Sequence, residues 1–171
     1  MSTKVLAHKK IKFCPICATE LKEKKVDERV RLVCPACNWI HYLNPVPVAA
    51  CLVLNRQGDI LMVKRGVAPQ KGRWALPAGF MEIDENPDKA ALRELKEETG
   101  IKGKIKKLIG VYRQPSENYT AVLTFGYKIE VVGGELVAGD DAQEVKFRKA
   151  EAVKEIPFKS HRRIIEEELG I

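Results

Sequence analysis

The sequence predicts an α/β domain preceded by a small metal-clamped ribbon, and three observations carry that expectation. Four cysteines fall in two close pairs near the N-terminus, Cys14-Pro-Ile-Cys17 and Cys34-Pro-Ala-Cys37. Short strand-like apolar runs follow from Val48 onward. Set among them are one strong helical pattern over 87–99 and a second, C-terminal one over about 160–169.

At 171 residues, with 45% hydrophobic and 31% charged, the composition is that of a chain able to build a real core rather than a disordered one. The longest apolar stretch, Val46–Leu54, is short and broken by Pro47, so no segment is expected to span a membrane. The N-terminal MSTKVLAHKKIKF is charged but has no apolar run of a secretory signal, and a cytoplasmic location is expected. The formal charge of +7 is uneven: residues 1–45 hold nine basic side chains (Lys4, Lys9, Lys10, Lys12, Lys22, Lys24, Lys25, Arg29, Arg31) against four acids, leaving +2 for the rest. Such a segment suits contact with nucleic acid or another polyanion. It equally suits a solvated lysine-rich surface, which is the better reading on charge alone.

The paired cysteines, with sixteen residues between the pairs, have the spacing of a structural zinc site. Each short gap lets two thiolates face one ion, and two pairs complete a closed tetrahedral shell with no open position for catalysis. Disulfides are the alternative, disfavoured where thiols stay reduced. One Zn²⁺ on four thiolates contributes −2, which lowers the charge of the region from +5 to +3. Cys51 lies in an apolar run and is expected to be a small buried hydrophobe. His8, His41 and His161 are scattered and form no metal cluster in sequence.

The domain boundary is expected near Pro45, giving a ribbon over 1–45 and a second domain over 46–171. Beyond it, Val48–Leu54 and Ile60–Lys64 read as a hairpin turned by residues 55–59. Residues 66–73 read as a loop. Further strands are expected over about 104–113, 120–132 and 144–147, and the terminal helix is expected to start at Ser160 and stop at Gly170.

The 79–101 segment is the most informative. Asn86 suits an N-cap, Pro87 the first helical position and Gly100 the C-terminal cap. Ala91, Leu92, Leu95 and Thr99 form a narrow apolar stripe, while Glu94, Glu97 and Glu98 form an adjoining carboxylate face. Like charges so close disfavour a helix unless a cation sits among them, and Mg²⁺ takes carboxylate oxygens. Judged by the helix alone, a solvated acidic face would serve as well.

The surrounding spacing changes that balance. Gly79, five residues, Glu85, seven residues, then Arg93-Glu94-Leu95-x-Glu97-Glu98-x-Gly100-Ile101 resembles the Nudix box at every defined position. Trp74-Ala-Leu-Pro-Ala-Gly79 is similar to the strand and turn that lead into it. The resemblance implies an α/β/α sandwich with a mixed sheet that hydrolyses a nucleoside diphosphate linked to another group. It implies that Glu94, Glu97 and Glu98 hold Mg²⁺ or Mn²⁺ with help from the Gly79 carbonyl. It also implies that Arg93 pairs with Glu85 and orients the carboxylates. The chemistry is coherent, because a diphosphate is anionic and resists nucleophiles until metal neutralises it and acidifies a water. A carboxylate then takes the water's proton; Glu98 in the box and Glu144, expected in a later loop, are the two candidates.

A zinc ribbon before the box resembles the NADH pyrophosphatase group and its relatives. The proline-and-tryptophan motif of the NADH enzymes is replaced here by Val111-Tyr-Arg-Gln-Pro-Ser116. Pro115, shortly beyond the box, is similar to the proline of ADP-ribose pyrophosphatases, and Tyr119 to the tyrosine of dinucleoside-polyphosphate hydrolases. ADP-ribose or an ADP-containing dinucleotide such as NADH or FAD is the expected substrate. Tyr42, Tyr112, Tyr119 and Phe125 are candidates to stack on adenine. Arg65, Arg73 and above all Arg113, expected in a loop, are candidates for phosphate. Trp74 is expected to pack. Family habit implies a homodimer. Two other readings compete: a nucleotide-sensing or RNA-binding regulator, and a pyrophosphatase of RNA caps that grips the strand with the basic ribbon.

Overall fold

The computed structural model describes residues 11–116, 118–139 and 141–171. Lys4, His8, Lys9, Lys10 and Asp140 lie outside the described residues. The chain divides into two compact units. One ends at Pro45 and includes Pro115–Ala121; the other comprises Val46–Gln114 and Val122–Ile171. No helix among the described residues is long and apolar enough to cross a membrane.

In the first unit β1 (Lys22–Val26) and β2 (Arg29–Val33) pair antiparallel, and β3 (Ile40–His41) adds to β2. Asp27 and Glu28 turn the hairpin, both at positive φ (50° and 24°), as a two-residue turn matched to strand twist requires. Few side chains are available for a core. Cys14, Leu21 and Cys34 are buried, with Leu32 and Trp39 packed against them.

The second unit runs β4 (Val46–Val53), β5 (Ile60–Arg65), β6 (Trp74–Ala75), β7 (Ala78–Phe80), α1 (Pro87–Thr99), β8 (Ile101–Ser116), β9 (Thr120–Gly134), β10 (Ala142–Arg148), a 3₁₀ turn (Ala150–Glu155) and α2 (Lys159–Leu169). One sheet has the order β7-β4-β9-β8, with β4 antiparallel to β7 and parallel to β9, so the sheet is mixed. A second has the order β10-β5-β6, all antiparallel. Alternate residues of β4 point to opposite layers. Ala49, Cys51 and Val53 pack with Ala90, Ala91 and Leu95 of α1. Ala50 and Leu52 pack with Ile164 and Ile165 of α2 and with Val153 and Ile156. The result is the expected helix–sheet–helix sandwich. Cys51 is fully buried in it, its thiol donating to the Ala91 carbonyl at 3.0 Å.

Two expectations about elements need correction. The turn at 55–59 forms, with Asn55 Oδ1 accepting the N–H groups of Gln57 and Asp59, but β4 and β5 do not pair as a hairpin. A single bridge joins Leu54 and Ile60, after which the strands enter different sheets. Both are buried on two faces, so each finds its partners among remote strands rather than along one exposed edge. Asn86 occupies the N-cap of α1 without a side-chain cap hydrogen bond, whereas Gly100 at φ 72° closes the helix as expected. The terminal helix starts after Phe158, not at Ser160. The Ser160 N–H donates to Gln114 Oε1 at 3.0 Å, so a residue of β8 supplies the cap from a distance in sequence.

Candidate active site

Short strand β7 delivers Gly79 to the N-terminal side of the loop that enters α1, and three carboxylates collect around one guanidinium there. Arg93 donates from Nε to Glu85 Oε2 at 3.1 Å and from Nη2 to Glu85 Oε1 at 2.5 Å and to the Phe80 carbonyl at 2.9 Å. Its Nη1 donates to Glu94 Oε1 at 2.6 Å and Glu97 Oε2 at 2.9 Å. A guanidinium has five N–H donors, and all five are used. Glu85 in turn accepts the Glu82 N–H at 2.9 Å, so the box loop and helix are tied to one charge.

Glu98 lies deeper. It is 7% exposed and accepts the Ala78 N–H at 2.9 Å. Burial pushes its carboxyl up to about 8, with Glu94 and Asp141 adding to the effect, while the Ala78 N–H and the charge of Arg65 oppose it. Glu94 is also raised by burial, against the pull of Arg93, whereas Glu85 is held below the usual range by its bonds to Arg93. Gly79 passes so close to Glu94 that a Cβ there would fall 2.1 Å from the carboxylate carbon. Glu94 against Gly79, Glu97 beside it on Arg93, and Glu98 buried near Glu94 thus place three carboxylates close together. Hard oxygen donors of this kind suit Mg²⁺ or Mn²⁺. Among the described residues their oxygens are not gathered within 4.8 Å of one another as the cysteine sulfurs are; Arg93 stands between Glu94 and Glu97.

Glu144 is not in a loop. It sits within β10, beside an irregularity in the pairing with β5, where its carboxylate contacts Lys146 at 2.7 Å and Lys64 at 3.9 Å. Its hydrogen bond to Lys146 holds it below the usual range. The later acid whose charge reaches Glu98 is Asp141, whose carbonyl accepts the Gly66 N–H at 2.6 Å. Sequence reading missed this role; the acidic run at 140–144 was the only signal.

The cysteines form a second centre, in the first unit. Their ligand atoms lie within 4.8 Å of one another, with Sγ–Sγ distances of 3.6 Å for Cys14–Cys37, 3.4 Å for Cys17–Cys34 and 3.6 Å for Cys17–Cys37. A tetrahedron with Zn–S bonds of ~2.3 Å has edges of ~3.8 Å, so the cluster fits the ion. The two knuckles repeat one turn. The N–H groups of Ala18 and Asn38, both at positive φ, donate to the carbonyls of Cys14 and Cys34. The N–H groups of Ile16 and Cys37 reach the sulfurs of Cys14 and Cys34 at 3.4 Å.

The NUDIX domain family model matches residues 44–169, and the Nudix N-terminal zinc-ribbon model matches residues 12–43. The chain is a Nudix hydrolase. It is 40% identical over 127 residues to an ADP-ribose pyrophosphatase of Methanocaldococcus jannaschii, covering 74% of each chain. A mouse diphosphoinositol polyphosphate phosphohydrolase 3-alpha is 43% identical over 82 residues, 44% of this chain and 49% of that protein. Among solved structures, a Nudix hydrolase of Nitrosomonas europaea matches with a TM-score of 0.76 at 28% identity over 94% of each chain. A bifunctional NMN adenylyltransferase/ADP ribose pyrophosphatase of Francisella tularensis, complexed with AMP and a manganese ion, matches with a TM-score of 0.65 at 26% identity. That likeness covers 75% of this chain and 42% of the other.

The remaining candidates of this Nudix chain are dispersed. Tyr112 is buried, donates to Glu167 at 2.5 Å and lies under the Arg163 guanidinium, so its ring is already occupied. Phe125 packs into the core beside α1. Tyr42 and Tyr119 belong to the first unit and are half exposed. Arg113 lies within β8 rather than in a loop, with an exposed side chain. Arg73 donates to the Glu155 carbonyl at 3.1 Å. Arg65 donates to the Pro69 carbonyl at 2.8 Å, stacks on Phe158 and is the cation whose charge reaches Glu98. Trp74 packs beneath Lys146 and Arg148.

Proposed function

We propose that this Nudix hydrolase adds water across the diphosphate of ADP-ribose, or of an ADP-containing dinucleotide such as NADH or FAD, and releases AMP. The 40% identity over 127 residues to an archaeal ADP-ribose pyrophosphatase carries the reading. The likeness to an ADP ribose pyrophosphatase structure holding AMP and manganese supports it.

Glu94, Glu97 and Glu98, with the Gly79 carbonyl, would hold Mg²⁺ or Mn²⁺. Such an ion neutralises the diphosphate and acidifies water. The chain's own residues do the rest. Arg93 is a positioning residue: anchored on Glu85 and the Phe80 carbonyl, it aims Glu94 and Glu97 along one face of α1. Either Glu98 or Glu144 accepts the water's proton as the oxygen attacks phosphorus. Burial beside Glu94 favours Glu98, since Glu144 is engaged by two lysines. Arg65 and the exposed Arg113 are the arginines to take phosphate oxygens. The four cysteines hold Zn²⁺ as a structural centre.

Zinc-loaded protein with Mg²⁺, offered ADP-ribose, NADH and FAD, is expected to release AMP, fastest from ADP-ribose. If none of the three is turned over, the substrate class is wrong. If AMP forms only from a dinucleotide, the reaction stands and the preferred leaving group changes.

A further inference from the structure

The ribbon's charge is sorted by the pleat of its sheet. Lys24 stands directly opposite Arg31, Lys22 opposite Val33 and Val26 opposite Arg29. Residues directly opposite, and every second residue along a strand, share a face. One face therefore carries Lys22, Lys24, Arg29 and Arg31, together with Val26 and a buried Val33. The other carries Glu23, Lys25, Val30 and Leu32, and Leu32 packs with Trp39 onto the cysteine core. Tyr42 follows β3, and the Arg31 guanidinium lies 4.7 Å from its ring centroid. Lys22, Lys24 and Arg29 are exposed, and Tyr42 is 50% exposed.

Folding alone gives no reason for this arrangement. Like charges directly opposite one another weaken a strand pair, and Lys24 with Arg31 is such a pair. Glu20 reaches Lys22 at 3.5 Å, and among the described residues no other ion pair touches the face. Among the described residues the Arg31 Nε is buried without a hydrogen-bond partner, while the flat guanidinium lies against the Tyr42 ring.

We propose that this face binds single-stranded nucleic acid, with phosphates along Lys24, Arg29 and Arg31 and a base extending the Arg31–Tyr42 stack. A row of cations beside a half-exposed aromatic ring, one face of it under Arg31, matches a strand whose charge repeats along the backbone and whose bases are free to stack. A duplex hides those base faces, so single strands are the expected form. RNA and DNA share the phosphate and base chemistry. The surface is independent of which diphosphate the second unit cleaves.

Zinc-loaded full-length protein titrated against labelled oligouridylate, oligothymidylate and a duplex tests this by fluorescence anisotropy. Binding to a single strand is expected to weaken with salt with a log–log slope of about −2, from roughly 0.7 per contact over three phosphates. Replacing the exposed pair, Lys24→Glu with Arg29→Glu, should weaken binding at least about tenfold and flatten the slope, with zinc content and AMP release unchanged. Tyr42→Ala should weaken binding by about tenfold while leaving the slope intact, because stacking is not ionic. Preference for either single strand supports the proposal, RNA preference adding a 2′-hydroxyl contact. Salt-insensitive binding, no binding at low salt, tighter binding of the duplex, or binding untouched by the Lys24–Arg29 pair of changes would each overturn it.

Discussion

At the scale of single residues, burial separates three glutamates that share one helix face. Glu97 keeps 41% of its side chain exposed, Glu94 lies against Gly79 and Glu98 is nearly sealed. Glu98→Gln retains an oxygen for the Ala78 N–H but can no longer ionise. We expect AMP release to fall by about 10²-fold or more, with unfolding by heat or urea no easier than in the parent protein. Near-normal rates would remove Glu98 from the chemistry. His161, sealed in α2 against Phe158, is the other buried ionisable group of note. Burial, reinforced by the charge of Arg65, pushes its imidazole down to about 3. The unfolded chain binds a proton at His161 below about 6.5 and the folded chain does not, so stability is lost as pH falls from 6.5 toward 3. The contribution is up to about 1.4 kcal/mol per pH unit for one proton. Urea unfolding at stepped pH should show that loss in the parent, and His161→Phe should flatten this part of it.

Elements meet closely where glycine permits. A Cβ at Gly126 of β9 would fall 2.4 Å from Ile164 of α2, so Gly126→Ala must push the helix off the sheet or twist Ile164. Overpacking of that kind costs about 1–3 kcal/mol, readable as a lower urea midpoint. Gly79→Ala sits instead against the carboxylate of Glu94, one of the proposed metal holders. It is expected to cut AMP release at least about tenfold, since a misplacement of about 1 Å near the chemistry is costly. A stability loss as large as that of Gly126→Ala would argue for a purely structural role. The box loop and α1 were legible in the sequence because their residues are local: a cap, a proline, a stripe and a glycine stop within one stretch. The divergence of β4 from β5 was not, because two fully buried strands carry no mark of which neighbours they will take.

Across the whole molecule the two units draw on different sources of stability. The second unit has two apolar layers around its sheets. The ribbon buries little beyond Cys14, Leu21, Cys34 and Val33, so zinc on the four sulfurs would supply much of its folding energy. Stripping zinc with a strong chelator is expected to expose the β1 and β2 amides to hydrogen exchange while those of β4 and β5 stay protected. Unchanged protection of β1 and β2 would show that the ribbon folds without metal.

The sequence by itself determined the family, the glutamate face of α1 and the meeting of the four cysteines, because each depends on short spacings along one segment. Two thiols across a two-residue gap, or carboxylates one helical turn apart, meet whatever the rest of the chain does. The tertiary structure decided which carboxylate is desolvated and that Asp141 and Arg65 act on it. It also moved Glu144 into a strand between two lysines, and brought Gln114 to cap α2. These outcomes depend on which remote segments pack together, and desolvation follows that packing rather than local order. The same holds for the ribbon's basic residues. Their number was countable, but only the strand register put Lys24 across from Arg31 and Arg31 onto Tyr42.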